Sequence, residues 1–325
     1  MLIDRFGRRH TYLRISVTDR CNLRCAYCMP FKGIVWKNKK EILTLEEICR
    51  VASIFVELGI TKIRLTGGEP LVRRNVEALV RWLAELPGVE KLAMTTNGVL
   101  LREKAHALKA AGLKALNVSL DTLRRSRFEE IAKRDHWDDV MAGIEAALAC
   151  EFDTLKVNCV VIKGFNDDEI LDFVEFARDK PMNVRFIEYM PFPDNQWHKD
   201  GMLSFARMKE HIEQRYELVP LDTESGAVAK DFAIGGRRGT VSFITSMSES
   251  FCESCNRLRL TADGSVKSCL FYAPEINLRG ELRSGLDDAG LREMILSAVL
   301  QKPEAHPPME ELVGMANRAM VEIGG

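Results

Sequence analysis

Three cysteines crowd the segment DRCNLRCAYCMP, at Cys21, Cys25 and Cys28, and three more stand at Cys252, Cys255 and Cys269. Cysteines set so close are metal ligands or redox partners, and their number helps to decide which. A closed zinc site takes four protein ligands. None is evident near the first trio, since His10 lies before the strand that precedes it. Ferredoxin-type clusters also take four cysteines, in other spacings. Three thiolates on a cubane 4Fe–4S cluster leave one iron without a protein ligand. That iron is open to another molecule, which suits chemistry better than electron storage. Structural zinc stays open as a reading of the second trio, C-x2-C followed by Cys269, although it too has three cysteines. Cys49 falls on the apolar stripe Leu45, Ile48, Cys49, Ala52, Phe55, Val56 and reads as core, as do the isolated Cys150 and Cys159.

The elements that must hold these residues alternate. YLRISV, KIRLT, KLAMTT, KALNVSL, KVNCVVI and VRFIEYM are short and rich in β-branched or aromatic residues, as strands are. Helical stripes lie between them, including Val76, Leu79, Val80, Leu83 and Ile170, Phe173, Val174, Ala177. Thr44 with Glu47, and Asn166 with Glu169, read as capping boxes. Repeated β-then-α units predict a parallel sheet, doubly wound or barrel-like. Six such strands precede residue 190. They are too few for an eight-fold barrel and enough for a partial one. Residues two apart share a strand face. Arg64 with Thr66, Asn117 with Ser119, and Lys156 with Asn158 therefore either end strands in solvent or line a wet cavity. After EYMPFPDNQW the pattern loosens into Gly- and Ser-rich sequence. A boundary is expected near residue 225, dividing 1–225 from a smaller α+β region, 226–325, that holds the second trio.

The chain has 325 residues, is 46% hydrophobic and 29% charged, and carries a formal net charge of −1. That balance argues against a general nucleic-acid or membrane-surface binder, which needs a basic excess. No apolar run approaches the about 18 residues that span a bilayer. The opening MLIDRFGRRHTYLRIS lacks the apolar stretch of a signal peptide, so a reducing, cytoplasmic setting is expected.

The spacing C-x3-C-x2-C, with Tyr27 just before the last cysteine, resembles the signature of radical S-adenosyl-L-methionine enzymes. The resemblance implies an incomplete (β/α)6 TIM-type barrel, with S-adenosylmethionine chelated by the open iron and cleaved to a 5′-deoxyadenosyl radical. A second element fits: TGGEP, Thr66 to Pro70, comes directly after a strand, and its two glycines let backbone approach a ligand closely. The second trio, followed by Asn256–Arg257–Leu258–Arg259, closely resembles the GTP 3′,8-cyclases of molybdenum cofactor biosynthesis. That likeness runs from FGRRHTYLRISVTDRCNLRCAYCMP through KIRLTGGEPLVRR, TTNG, LNVSLDTL, KVNCVVIKGFND and EYMP to the terminal MVEIGG.

By that resemblance the protein would be a lyase with two 4Fe–4S clusters, the second holding the guanine of GTP. The radical would remove the C3′ hydrogen of GTP, leading to (8S)-3′,8-cyclo-7,8-dihydroguanosine 5′-triphosphate. The same likeness implies that Tyr27, Gly68, Ser119 and the Met190 backbone would hold S-adenosylmethionine. It implies Arg14, Arg64, Thr95, Lys156, Arg257, Leu258 and Arg259 as the residues that would hold GTP. A triphosphate carries roughly four negative charges and needs such charge-assisted partners, and the arginine fork suits paired phosphate oxygens. The tail, Gly324 and Gly325, would by the same resemblance enter the active site and serve catalysis with Arg14. A homodimer, an external reductant and a downstream cyclic pyranopterin monophosphate synthase are the implied partners. MPFPDNQWHKDG, residues 190–201, differs among family members, and His198 within it is given no role.

Two other readings compete. A radical S-adenosylmethionine peptide-modifying enzyme usually carries more C-terminal cysteines and has no need of Arg257 and Arg259. An electron carrier or zinc-stabilised binding module would use four ligands per site.

Overall fold

The computed structural model describes residues 1–29, 34–193, 195, 197–222, 226–313, 315 and 317–324. The boundary expected near residue 225 falls outside them. The strands expected from sequence form as β1 (Tyr12–Ser16), β2 (Lys62–Thr66), β3 (Lys91–Thr96), β4 (Ala115–Ser119), β5 (Thr154–Val161) and β6 (Asn183–Glu188). They pair in chain order and in parallel, as helical crossovers require.

Later segments extend this sheet at both edges. β9 (Thr240–Ile244) pairs in parallel with β6, and β10 (Arg257–Leu260) in parallel with β1. Beyond β9 run the antiparallel β8 (Ala229–Ile234) and β7 (Leu218–Pro220). Beyond β10 run β11 (Ser265–Lys267) and β12 (Ile276–Asn277). The order β12-β11-β10-β1-β2-β3-β4-β5-β6-β9-β8-β7 is linear, so the barrel is incomplete.

The strands' period of two sorts this sheet into an apolar and a polar face. Leu13 and Ile15, Ile63 and Leu65, Leu116 and Val118, Val184 and Phe186, and Val241 and Phe243 are buried toward the helices. Phe55, Leu79 and Phe173 meet them there, fully buried. The alternate residues are Arg14, Arg64, Asn117, Lys156, Arg185 and Ser242, and the pairing registers keep them on one face. Arg64, Thr66 and Asn117 are buried and Ser119, Lys156 and Asn158 half-buried, so these pairs do not end their strands in open solvent. In a parallel barrel the strands' C-terminal ends, where ligands bind, all lie at one end.

The Thr44 capping box is present: Glu47 donates its N–H to Thr44 Oγ1 at 3.1 Å, and its carboxylate accepts the Thr44 N–H at 2.7 Å. The box expected at Asn166 does not form. Asn166 Nδ2 donates to the Asp121 and Val160 carbonyls, at 2.7 and 2.9 Å. Glu169, fully buried, accepts from Thr122, the Leu123 N–H and Arg127 instead. A buried carboxylate needs such partners more than a helix end needs a cap. Cys159 is buried as expected, and Cys49 and Cys150 are half-buried against the core.

Candidate active site

The first cysteine loop leaves β1 and is seated by the loops after β2 and β3. Gly68 and Glu69 donate their N–H groups to the Thr18 and Arg20 carbonyls at 2.8 and 2.7 Å. A Cβ on Gly68 would lie 2.4 Å from the Arg20 carbonyl oxygen, so this close approach requires glycine. The Glu69 carboxylate accepts from Thr96 Oγ1 at 2.7 Å and the Asn97 N–H at 2.6 Å, which ties TGGEP to TTNG. Asn97 Nδ2 in turn faces Cys21 Sγ at 3.7 Å. Within the loop, Cys28 donates its N–H to the Cys25 carbonyl at 3.0 Å.

All three thiols are free. Burial pushes Cys21 up to about 11, and burial with repulsion from Cys21 pushes Cys28 up to about 12. Cys25 rises through burial and through repulsion from Cys28 and Cys21. Thiolates this close need cationic iron between them to ionise, so the trio fits a metal cluster. Tyr27, just before Cys28, faces Asp121, two residues past the end of β4.

In the second trio Cys255 stands in a different field. Burial opposes ionisation of Cys255, but Arg257 and Lys302 outweigh it and lower the thiol to about 7. Arg257 Nη2 lies 3.8 Å from Cys255 Sγ. Arg8 holds the Cys252 carbonyl at 2.8 Å. Among the described residues no three His, Cys, Asp or Glu side chains close round a single bare ion.

Between the trios the polar sheet face is cationic. Arg259, Arg14 and Arg64 stand in register across β10, β1 and β2. Arg64 donates to Tyr12 Oη at 2.6 Å and to Thr95 Oγ1 at 3.3 Å, which brings Thr95 into the site. Burial would raise the Tyr12 phenol, but Arg64, Arg14 and Lys62 pull it down to about 7. On the facing wall, burial and then Arg185 lower Lys156 to about 8. Burial lowers Arg185 to about 10. Asp231 lies 4.0 Å from Lys156 and 3.8 Å from Arg185. Asn117 Oδ1 and Asn158 Oδ1 are buried without a hydrogen-bond partner, which marks this face as one built for a ligand.

The tail enters this arc. The Gly324 carbonyl accepts from Arg14 at 3.3 Å and from Arg259 at 3.2 Å. Gly324 has φ +77°, and a Cβ on it would lie 2.4 Å from Thr66 Oγ1. Ile323 packs with Phe192, Phe271 and Leu312, beside Met190 and Cys269. Gly325 lies outside the described residues. Ser119 is in register with Asn158, and the Met190 carbonyl accepts from Asn195 at 2.9 Å. Leu258 is fully buried on the apolar side of β10. The His198 ring lies against Gly201.

Sequence reasoning missed Tyr12, Arg185 and Asp231. The alternation that marks Lys156 also marks Tyr12, two before Arg14, and Arg185, two after Asn183. Asp231 reaches the site through long-range pairing of β8 with β9, which leaves no local signal.

Comparison with known proteins gives the same picture. The radical SAM superfamily model matches residues 15–177, and the Molybdenum Cofactor Synthesis C model matches 182–308. The mitochondrial GTP 3′,8-cyclase of Arabidopsis thaliana is 50% identical, over 100% of this chain and 84% of its own length. The GTP 3′,8-cyclase of Moorella thermoacetica is 47% identical, over 99% of each chain. The chain belongs to the GTP 3′,8-cyclase family of radical SAM proteins. Molybdenum cofactor biosynthesis protein 1 of Homo sapiens is 47% identical over 99% of this chain, which spans only 51% of that protein. In fold, the chain matches Streptococcus suis SuiB bound to S-adenosylmethionine, with a TM-score of 0.62 at 16% identity over 87% of this chain and 68% of that one.

The Gly324 geometry makes a direct prediction for this GTP 3′,8-cyclase homologue. Gly324→Ala should expel the last turn from the Arg14–Arg259 clamp. Amide exchange at residues 320–323 should then accelerate at least tenfold while β1 and β10 keep their protection. Unchanged exchange at the tail would show that the clamp tolerates a side chain.

Proposed function

We propose that this chain acts as a GTP 3′,8-cyclase in molybdenum cofactor biosynthesis, with its substrate lying across the cationic arc between the two cysteine trios. The observation that carries this reading is the register of Arg259, Arg14 and Arg64, faced by Lys156 and Arg185. A buried set of cations of this kind suits a polyphosphate.

Cys21, Cys25 and Cys28 would hold one 4Fe–4S cluster, and Cys252, Cys255 and Cys269 the other. When bound, these groups and S-adenosylmethionine would supply a 5′-deoxyadenosyl radical near the first trio and an open iron for guanine near the second. The chain's own work is positioning and shielding. The Gly67–Gly68 backbone, Tyr27, Ser119 and the Met190 backbone would seat S-adenosylmethionine. Arg14, Arg64, Lys156, Arg185, Arg257 and Arg259 would fix the triphosphate, with Thr95 touching the nucleotide. The Gly324 carbonyl sits on two of those guanidinium groups, so the tail and the substrate would share Arg14 and Arg259. Residues 1–225 would carry the radical source and 226–325 the base-holding cluster. No helix among the described residues is long and apolar enough to cross a membrane. We place the chain in the cytoplasm as a homodimer, using an external reductant and passing its product to a cyclic pyranopterin monophosphate synthase.

The test is an anaerobic reaction of the reconstituted protein with reductant, S-adenosylmethionine and GTP deuterated at C3′. Deuterium in the 5′-deoxyadenosine, read by mass spectrometry, is the expected result. Unlabelled 5′-deoxyadenosine formed equally without GTP would overturn the reading.

The arc also sets a pH dependence. Lys156 at about 8 is charged at pH 7, and a bound polyanion raises that value. Binding therefore takes up a proton above pH 8, and affinity should fall as pH rises, by at most about tenfold per pH unit from this group. Tyr12, at about 7, acts in the same direction lower down. The Kd for GTP should rise between pH 8 and 9.5, and Lys156→Arg should flatten that rise. A flat profile in the unsubstituted protein would contradict the assignment.

A further inference from the structure

Lys302 lies just past the helix Asp288–Leu300 and is only 2% exposed. Burying an ammonium is costly unless each of its three donors is used and its charge is balanced. Two of the donors are taken by backbone carbonyls. Nζ donates to the Arg257 carbonyl at 2.9 Å and to the Ser268 carbonyl at 2.5 Å, and the Cys255 thiol faces it. Arg257 lies two residues after Cys255, and Ser268 directly precedes Cys269. One ammonium thus ties together the two backbone segments that present Cys255 and Cys269. Among the described residues no carboxylate pairs with Lys302, and the groups that face it are the sulfurs of Cys255 and Cys269 themselves. Arg257 adds a like charge nearby.

We infer that Lys302 is a positioning residue and the charge partner of the second cluster. Its ammonium balances the thiolates and raises that cluster's reduction potential. The inference rests on the proposed reading that the second trio holds a 4Fe–4S cluster. A three-thiolate cluster gains one more negative charge on reduction, so an adjacent cation stabilises the reduced form more than the oxidised one. The segment around Lys302 is braced from the N-terminus. Arg8 donates to the Cys252, Pro303 and Glu304 carbonyls at 2.8, 2.6 and 2.5 Å. Its Nε is held by Asp4 at 2.7 Å, and Asp4 also faces His10.

The experiment is a reductive titration of the intact, fully loaded protein, followed by electron paramagnetic resonance, with Lys302→Met beside the unsubstituted chain. A parallel form with Cys21, Cys25 and Cys28 replaced by alanine assigns the second cluster's signal. Iron and sulfide content is measured first. An unsubstituted chain that loads only one cluster would sink the underlying reading rather than this inference. With both clusters present, Lys302→Met should move the second cluster's potential to a more negative value and leave the first unchanged. An unchanged second potential in the loaded variant overturns the inference. Should Lys302→Met fail to take up the second cluster, Lys302→Gln replaces it, since that side chain keeps an amide donor but no charge. The same negative shift is then expected, and an unchanged potential again overturns the inference.

Discussion

Burying several cations on one face of a sheet is the constraint on which the rest of this structure depends. Arg259, Arg14 and Arg64 stand side by side, and Lys156 and Arg185 approach from the other wall. Like charges out of water repel and lose hydration. The cost is visible in Lys156 and Arg185, both held below their ordinary values chiefly by burial. Asp231, the Tyr12 hydroxyl and the Gly324 carbonyl each relieve part of it. The opposing stabilisation comes from the other face of the same strands, where Ile15, Leu65, Val118 and Phe186 are fully buried or nearly so. Register couples the two faces, because a slip by one residue would exchange them.

The same sheet fixes the two cysteine trios relative to one another. The first trio lies after β1, and β10, which pairs with β1, begins two residues after Cys255. Two sites more than two hundred residues apart in sequence thus come to lie at the two ends of one parallel strand pair, with Arg14 and Arg259 between them. Each trio has its own electrostatics. The first is neutral and apolar enough to resist ionisation, whereas Arg257 and Lys302 favour the thiolate at Cys255. The tail then joins the parts, with Ile323 packed beside Met190 and Cys269 and Gly324 held between Arg14 and Arg259.

Much of this was legible in the sequence, because short β-branched runs and helical stripes report local structure directly. The inner positions of β2, β4 and β5 could be read from alternation alone. The parts that were not legible depend on distant partners. VSFIT and RLRL look like strands, but nothing in them tells that one pairs with β6 and the other with β1. Asn166 and Glu169 match a capping box in spacing, yet a buried site offered both side chains stronger partners. Lys302 reads as an ordinary lysine after a helix, and only the packed structure shows where its ammonium goes.

The central claim is that the inward cations form one polyphosphate site between the trios. Equilibrium binding of GTP, GDP and GMP to the loaded protein under anaerobic conditions tests it most directly. The account predicts that affinity weakens with each phosphate removed, and that Arg259→Met narrows the difference between GTP and GMP at least tenfold. Equal affinity for the three nucleotides would contradict it and would leave the buried cations without their ligand.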